Sequence, residues 1–427
     1  MSLITREDCL ALDRQDPLAT LREQFALPAG QIYLDGNSLG VAPRAAFDVA
    51  RRVVEQEWAQ QLIQSWNTAG WIDLPRRVGD KIGQLVGAAP GEVVACDSTS
   101  VNLFKVLSAA MRIQESRGAA KVIVSERDNF PTDLYIAESL CRERGWTMQW
   151  LDQAALAQRL TDGQPALGLL MLTHVHYRSG RMHDMAAVSR QAHALGALAI
   201  WDLAHSAGAV PVELNAHGAD FAVGCGYKYL NGGPGAPAFV WAHPQWVDQF
   251  WQPLSGWMGH AAPFQFTPDY QPQPGIQRYL CGTPSVVGMS LLEAGVDSVL
   301  AAGPMGGMPA LRRKSLALTV LFRQLLDQRL AHEPFQVVSP AASHERGSQI
   351  SFSHPTHAYA IVQALIRRGV VGDFRAGAQG EPDLLRFGFT PLYVSFADVW
   401  DAVEHLVQVM ARQEHLDPAL QQRHAVT

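Results

Sequence analysis

Ala197–Asp202 reads ALAIWD and Asp220–Gly224 reads DFAVG, followed at once by Cys225–Pro234, CGYKYLNGGP. Both runs are apolar throughout rather than at alternate positions, which suits strands covered on both faces of a parallel sheet. Three more runs share the pattern: Lys121–Ser125 (KVIVS), Leu167–Thr173 (LGLLMLT) and Ala238–Ala242 (AFVWA). Helical stretches separate them, at Asn102–Gln114, Asp133–Arg144 and Asp184–Leu195, the last with a cap at Asp184 and a stop at Gly196. Strand and helix in alternation predict an α/β fold with a mostly parallel, doubly wound sheet. Gln252–Pro284 is rich in Pro, Gly and aromatic residues and reads as a long functional loop. From about Met308 a helix leads into a smaller C-terminal α+β domain. The expected division is an N-terminal segment 1–30, a large domain 31–307 and a small domain 308–427.

Composition excludes several classes. The 427 residues are 48% hydrophobic and 17% charged, an ordinary globular mix of a length that suits two or three domains. Net charge −6 removes the basic footprint of a nucleic-acid binder. No uncharged apolar run approaches the roughly 20 residues of a membrane span, and acids stand where a signal peptide would be apolar. Cys9, Cys96, Cys141, Cys225 and Cys281 are odd in number, scattered and without a CxxC pair. Neither a disulfide framework nor a zinc–cysteine site is expected, and a reducing cytoplasm is the default compartment.

The densest chemistry lies between Asp202 and Lys228. Asp202 ends a buried strand, where open α/β sheets place their ligands. Lys228, flanked by Cys225, Tyr227, Tyr229 and a glycine-rich turn, is poorly suited to a solvated helix face. Burial disfavours an ammonium, which is what a Schiff-base lysine requires. An aspartate two strands away could hold a pyridine cofactor's ring nitrogen protonated, making the ring an electron sink. For an isolated Asp and Lys, a helix cap and a surface turn would be the default; the flanking sequence argues against that.

Eight motifs in chain order extend the argument: YLDGNSLG (Tyr33–Gly40), STSVNLFK (Ser98–Lys105), NFPTDLY (Asn129–Tyr135), WDLAHSAG (Trp201–Gly208), GYKYLNGGPG (Gly226–Gly235), GWMGH (Gly256–His260), GTPSV (Gly282–Val286) and LRFGFTPLYVSF (Leu385–Phe396). With them the chain resembles the kynureninases, pyridoxal 5′-phosphate enzymes of fold type I related to the class V aminotransferases. The resemblance implies hydrolysis of L-kynurenine to anthranilate and L-alanine, and of the 3-hydroxy form to 3-hydroxyanthranilate and L-alanine, in tryptophan catabolism. It further implies that Lys228 holds the cofactor and shuttles the α-proton, that Asp202 pairs with the ring nitrogen, and that His205 lies beside it. Phe130 would stack on the ring, with Pro131, Thr132 and Asp133 of the same segment and Thr173 supporting the cofactor. Thr99 and Ser100 would bind its phosphate near a helix N-terminus, where N–H groups favour anions. Tyr227 would donate to the phosphate and serve in acid–base steps. Trp257 and Thr283 would reach a neighbouring subunit's site, implying a homodimer. Arg386 would clamp the substrate carboxylate, with Arg375 as competitor. Trp71, with Trp66, and Asn37 would line the substrate side, although core packing explains tryptophans equally well. Within the same superfamily, a cysteine desulfurase would need a nucleophilic cysteine in a mobile loop, and no cysteine here lies in an obvious Gly/Ser-rich loop. A scaffold without catalysis should have lost the lysine or arginine, and both remain.

Other motifs point elsewhere. Gly36–Gly40 (GNSLG) matches G-x-S-x-G, but a nucleophile elbow at Ser38 lacks the preceding strands and oxyanion loop. His174 and His176, with His183, could chelate a metal, yet no carboxylate stands at ligand spacing. There is no GK dipeptide, hence no P-loop, and Gly232, Gly233 and Gly235 read as space for backbone beside the cofactor.

Overall fold

The computed structural model describes residues 3–162, 166–250, 252–378 and 380–423. The chain forms two compact units. One comprises Ala46–Tyr177 and His183–Asp297. Its sheet contains β1 (Val93–Cys96), β2 (Val122–Glu126), β3 (Thr147–Leu151), β4 (Leu169–Thr173), β5 (Leu198–Asp202), β6 (Phe221–Gly224) and β7 (Ala238–Ala242). The order is β1-β7-β6-β5-β4-β2-β3, with β7 antiparallel to both neighbours and the other pairings parallel. The five strands expected from apolar runs all form, each within two residues of its expected bounds. β1 and β3 were not read from sequence. In β3, TMQWL mixes polar and apolar residues because an edge strand is only half covered.

The helix Thr99–Ser116 illustrates how a strand is followed by its crossover. Ser98 caps it, its Oγ accepting from Val101 N at 3.3 Å. Leu103, Val106, Leu107 and Met111 of this helix share one buried core with Val94, Ile123, Ile200, Val223 and Val240 of the sheet. Gln252–Pro284 holds only short 3₁₀ turns, Trp257–Gly259 and Gly275–Tyr279, among its described residues. The segment Val286–Met305 is long and apolar enough to cross a membrane, but half of it is buried in the protein. Its Glu293 and Asp297 are paired with Arg77 and Lys81.

The other unit comprises Met1–Ala45, Arg178–Met182 and Ser298–Thr427. It contains β8 (Gln336–Val337), β9 (Gln349–Ser353), β10 (Asp373–Arg375) and β11 (Leu384–Gly388), antiparallel in the order β10-β11-β9-β8. The divisions differ from the expected 30/31 and 307/308 boundaries. Ile32–Tyr33 pairs with Val370–Val371, so the chain to Ala45 belongs with the C-terminal residues. Asp13 also accepts from Phe396 N at 2.7 Å and Ala397 N at 3.0 Å. Long-range pairing of this kind leaves no local trace. Residues 1–2 and 424–427 of the expected segments lie outside the described residues.

Gly79, on the helix Leu74–Val86, packs directly on β1: a Cβ there would stand 2.2 Å from Val93 O. Gly79→Ala is expected to force helix and strand apart at a cost of about 1–3 kcal/mol. A lower urea midpoint with an unchanged slope would be the readout; an unchanged midpoint would contradict this packing.

Candidate active site

The register of β4, β5 and β6 brings the site together. Thr173 stands opposite Asp202, and Asp202 opposite Val223, at the C-terminal ends of these strands. The aspartate and lysine are closer in the fold than expected: β5 and β6 are adjacent, not two strands apart, and Lys228 follows β6 by one tight turn. In that turn Asn231 N donates to Lys228 O and Gly232 N to Gly226 O, each at 2.9 Å. Gly226 permits it, because a Cβ would lie 2.3 Å from Pro237 O. Gly233 is left-handed at φ +86°, where glycine is favoured.

Thr99, Ser100, Phe130, Thr132, Asp133, Thr173, Asp202, His205, Tyr227 and Lys228 line a single cavity. Ser98, Tyr177 and Ala204 line it too and were missed from sequence. Ser98 carried a legible signal, a hydroxyl run immediately after a strand; Tyr177 was masked by the neighbouring histidines. Pro131 is not among the lining residues; it opens the helix Pro131–Arg144.

Asn129 is a further omission. Its Nδ2 donates to Ser125 Oγ at 3.1 Å, while its Oδ1 accepts from Phe130 N at 2.7 Å and from the Thr173 hydroxyl. This one carboxamide ties β2 to β4 and orients the Phe130 segment. Phe130 is 40% exposed and meets Tyr177 edge-on with ring centroids 5.3 Å apart.

Lys228 Nζ lies 3.0 Å from His205 Nε2 and 6.0 Å from the Phe130 ring centroid. Asp202 and Asp133 are both buried. Burial, then Asp202, push Asp133 well above the usual carboxylate range. Burial also raises Asp202, but Lys228, the Ala204 N–H at 2.8 Å and the Thr173 hydroxyl oppose it. Both carboxyls are thus raised and titrate together, and Asp133, raised the further, is the better holder of a shared proton.

A second lysine clarifies why Lys228 is the reactive candidate. Lys105 is fully buried, donating to Tyr279 O and Asp97 Oδ2, each at 2.5 Å. Although burial opposes its charge, Cys96 and Asp97 push its pKa up, so it is a structural cation.

The donor set fits a phosphorylated pyridine aldehyde. Lys228 offers an amine, Asp202 a buried carboxylate for a ring N–H, and Asp133 Oδ2 is buried without a hydrogen-bond partner. The hydroxyls of Ser98, Thr99 and Ser100 cluster at the start of an 18-residue helix, whose positive end favours a phosphate.

Other candidates lie outside this cavity. Thr283 lines a second cavity that includes Ser98, Thr99 and Tyr227. Trp71 donates its indole N–H to Glu57 at 2.8 Å and meets Trp66 edge-on, which in turn meets Trp257. Asn37, Arg375 and Arg386 belong to the other unit. There Asp373 accepts from Arg386 Nε at 2.8 Å and from Arg375 Nη2 at 2.5 Å. Ser38 is no exposed nucleophile: it donates to Asp373 Oδ2 at 2.7 Å and accepts from Arg386 Nη2 at 2.7 Å and Arg375 Nη2 at 3.1 Å. The three histidines have separate partners: His174 with Ser206 at 2.9 Å, His176 with Asp128 O at 2.8 Å, and His183 with Glu126 at 3.1 Å.

Comparison with known proteins places this geometry. Residues 311–406 match the family model of the kynureninase C-terminal domain. The chain is 55% identical to the kynureninase of Burkholderia pseudomallei strain K96243, covering 99% of this chain and 100% of that one. It is 53% identical to the kynureninase of Pseudomonas fluorescens over 100% of both chains. Among solved structures, a cysteine desulfurase from Thermococcus onnurineus NA1 superposes with a TM-score of 0.76 at 20% identity, covering 92% of this chain and 97% of that one. A C-DES mutant with glycine covalently linked to its PLP cofactor gives 0.73 at 16% identity, covering 90% and 98%.

The Asp133 carboxyl supplies a test. Its raised pKa means that its stabilising contribution is complete below the ordinary carboxylate value near 4 and is lost as pH rises through the higher folded value. Asp133→Asn is expected to raise the melting temperature of the ligand-free protein at neutral pH and to reduce its fall with rising pH. An unchanged pH slope would place the proton elsewhere.

Proposed function

The chain belongs to the kynureninase family, and from that premise we propose which of its residues carry out the family's reaction. That reaction is the pyridoxal 5′-phosphate-dependent hydrolysis of L-kynurenine to anthranilate and L-alanine, and of 3-hydroxykynurenine to 3-hydroxyanthranilate and L-alanine. The observation that carries the residue assignment is the convergence of Lys228, Asp202 and the N-terminus of the Thr99–Ser116 helix on one cavity.

When bound, the cofactor supplies an electron sink for negative charge developing on the substrate. Lys228 would hold it covalently, and its amine would move the proton at the substrate α-carbon. His205, 3.0 Å from that amine, assists by exchanging a proton with it. Asp202 keeps the ring nitrogen protonated, and the neutral Asp133 beside it avoids a second buried negative charge. Ser98, Thr99, Ser100 and Tyr227 hold the phosphate, and Phe130 and Thr132 flank the ring. Water adds to the γ-ketone and the Cβ–Cγ bond breaks, leaving anthranilate and a three-carbon amino acid that is protonated to alanine. Tyr227 and the Thr283 loop supply donors to the developing oxyanion.

The substrate carboxylate is assigned to an arginine pair, with Arg386 as its main ligand and Arg375 second. A guanidinium offers a bidentate fork that an ammonium lacks. Trp71 and Asn37 are assigned to the substrate side. Trp257 and Thr283 complete the site of a second subunit in a homodimer, a reading supported by exposed Phe264 (58%), which meets Trp257, and exposed Phe266 (76%), which meets Phe264. The five free thiols suit a reducing cytoplasm.

Borohydride reduction of the holoenzyme followed by peptide mapping should label Lys228; a label on Lys105 or any other lysine would overturn the assignment. Arg386→Lys is expected to raise KM for kynurenine by about 10–100-fold, the loss of a charge-assisted bidentate contact worth about 1.5–3 kcal/mol. A change in kcat alone would remove it from carboxylate binding.

A further inference from the structure

The cluster around Arg375 and Arg386 contains a second carboxyl group that no step above uses. Asp35 follows the short strand Ile32–Tyr33 and bridges Gly388 at the end of β11. Its backbone carbonyl is engaged, accepting from Ser38 N at 2.9 Å and Leu39 N at 3.1 Å. Its side-chain Oδ1 is buried and has no hydrogen-bond partner. Asp373, by contrast, accepts from Ser38 and both arginines. The register explains the inequality: Asp373 stands directly opposite Arg386 on paired strands, whereas Asp35 enters from a different part of the chain.

Counting charge decides what such a cluster can bind. Two guanidiniums and one ionised Asp373 leave a net charge of +1, which one carboxylate would neutralise. If Asp35 also ionises, the cluster is already neutral and an incoming anion would leave uncompensated buried charge, which is costly. We propose that Asp35 is a proton-holding positioning residue for substrate binding: while protonated, it leaves the Arg375–Arg386–Asp373–Ser38 cluster with the single positive charge a substrate carboxylate needs. This rests on the assignment of the substrate carboxylate to these arginines.

The electrostatics agree. Burial, then Asp373, raise Asp35 to about 7, against the pull of Arg386, Ser38 and Arg375. Asp373 goes the other way: burial opposes its charge, but Arg386 and Arg375 hold it below the usual range. The remaining titratable groups facing Asp35 are Tyr33 and Tyr393, both raised by burial and by Asp35 itself, so they stay neutral. Asp35 is thus the group whose charge changes near neutrality. Since its folded value lies above the ordinary carboxylate value, its proton is held below about pH 7 and lost above it. Carboxylate affinity is then full in mild acid and falls about tenfold per pH unit above the break.

The test uses holoenzyme and the deamino analogue of kynurenine, an aryl-ketone carboxylate without the α-amine, so that no ligand amine titrates. Its inhibition constant should be flat in mild acid and rise with unit slope above about pH 7, and Asp35→Asn should abolish that rise. Unchanged visible absorbance of the bound cofactor establishes that the variant is folded. Independently of any variant, calorimetry of the wild-type protein in buffers of different ionisation enthalpy should show uptake approaching about one proton per analogue bound above the break and about none well below it. Retention of the rise in Asp35→Asn, or no proton uptake in alkaline buffer, overturns the proposal while leaving the arginines' role intact. If Arg375→Lys and Arg386→Lys both bind the analogue as tightly as wild type, the carboxylate assignment fails and the proposal with it.

Discussion

A single half-buried lysine facing two buried carboxyl groups cannot be accompanied by full ionisation of both, because the low-dielectric interior does not tolerate an uncompensated second negative charge. The cavity at the ends of β4–β6 is organised around that restriction. Asp202 receives the Ala204 N–H and the field of Lys228, so of the two it is the better anion and Asp133 the better holder of a proton. The surrounding parts, including the Asn129 tether and the glycine turn after β6, hold these groups in that relation.

The other unit obeys the same rule with different partners. Asp373 and Asp35 share a site with two arginines, and the strand register gives Asp373 the guanidiniums. Here one carboxyl is lowered and its neighbour raised, whereas in the first cavity burial raises both, Asp133 the further. Separating the pKa values of two carboxyls by their surroundings lets one group serve as a fixed charge and the other as a reversible proton store. In each unit the group with fewer hydrogen-bond donors holds the proton.

Much of the large unit was legible because parallel strands buried on both faces leave continuous apolar runs, and the Asp202 and Lys228 positions follow from such runs. β3 escaped because it is a half-covered edge strand of mixed polarity, whereas β1 is a four-residue apolar run, buried throughout, that was not singled out. Cap chemistry was equally readable: Asp184 caps its helix through Ala187 N at 2.9 Å. Single-residue roles were read less well. Asn129 was visible within its motif, but nothing local announces that one carboxamide joins Ser125, Phe130 and Thr173. Trp71 likewise has a partner that no local pattern announces: its indole N–H is committed to Glu57.

From its amino-acid order alone this protein's α/β class was legible, because it depends on hydrophobic periodicity, and eight motifs kept in order along the chain carried the resemblance to the kynureninases. The tertiary structure alone decided that Ile32–Tyr33 pairs with Val370–Val371, that Ser38 meets Asp373, Arg375 and Arg386, and that Asp35 is drawn into the field of the same groups. Those outcomes depend on distances and burial between residues hundreds of positions apart, and charge in a protein interior is set by what surrounds a group in space.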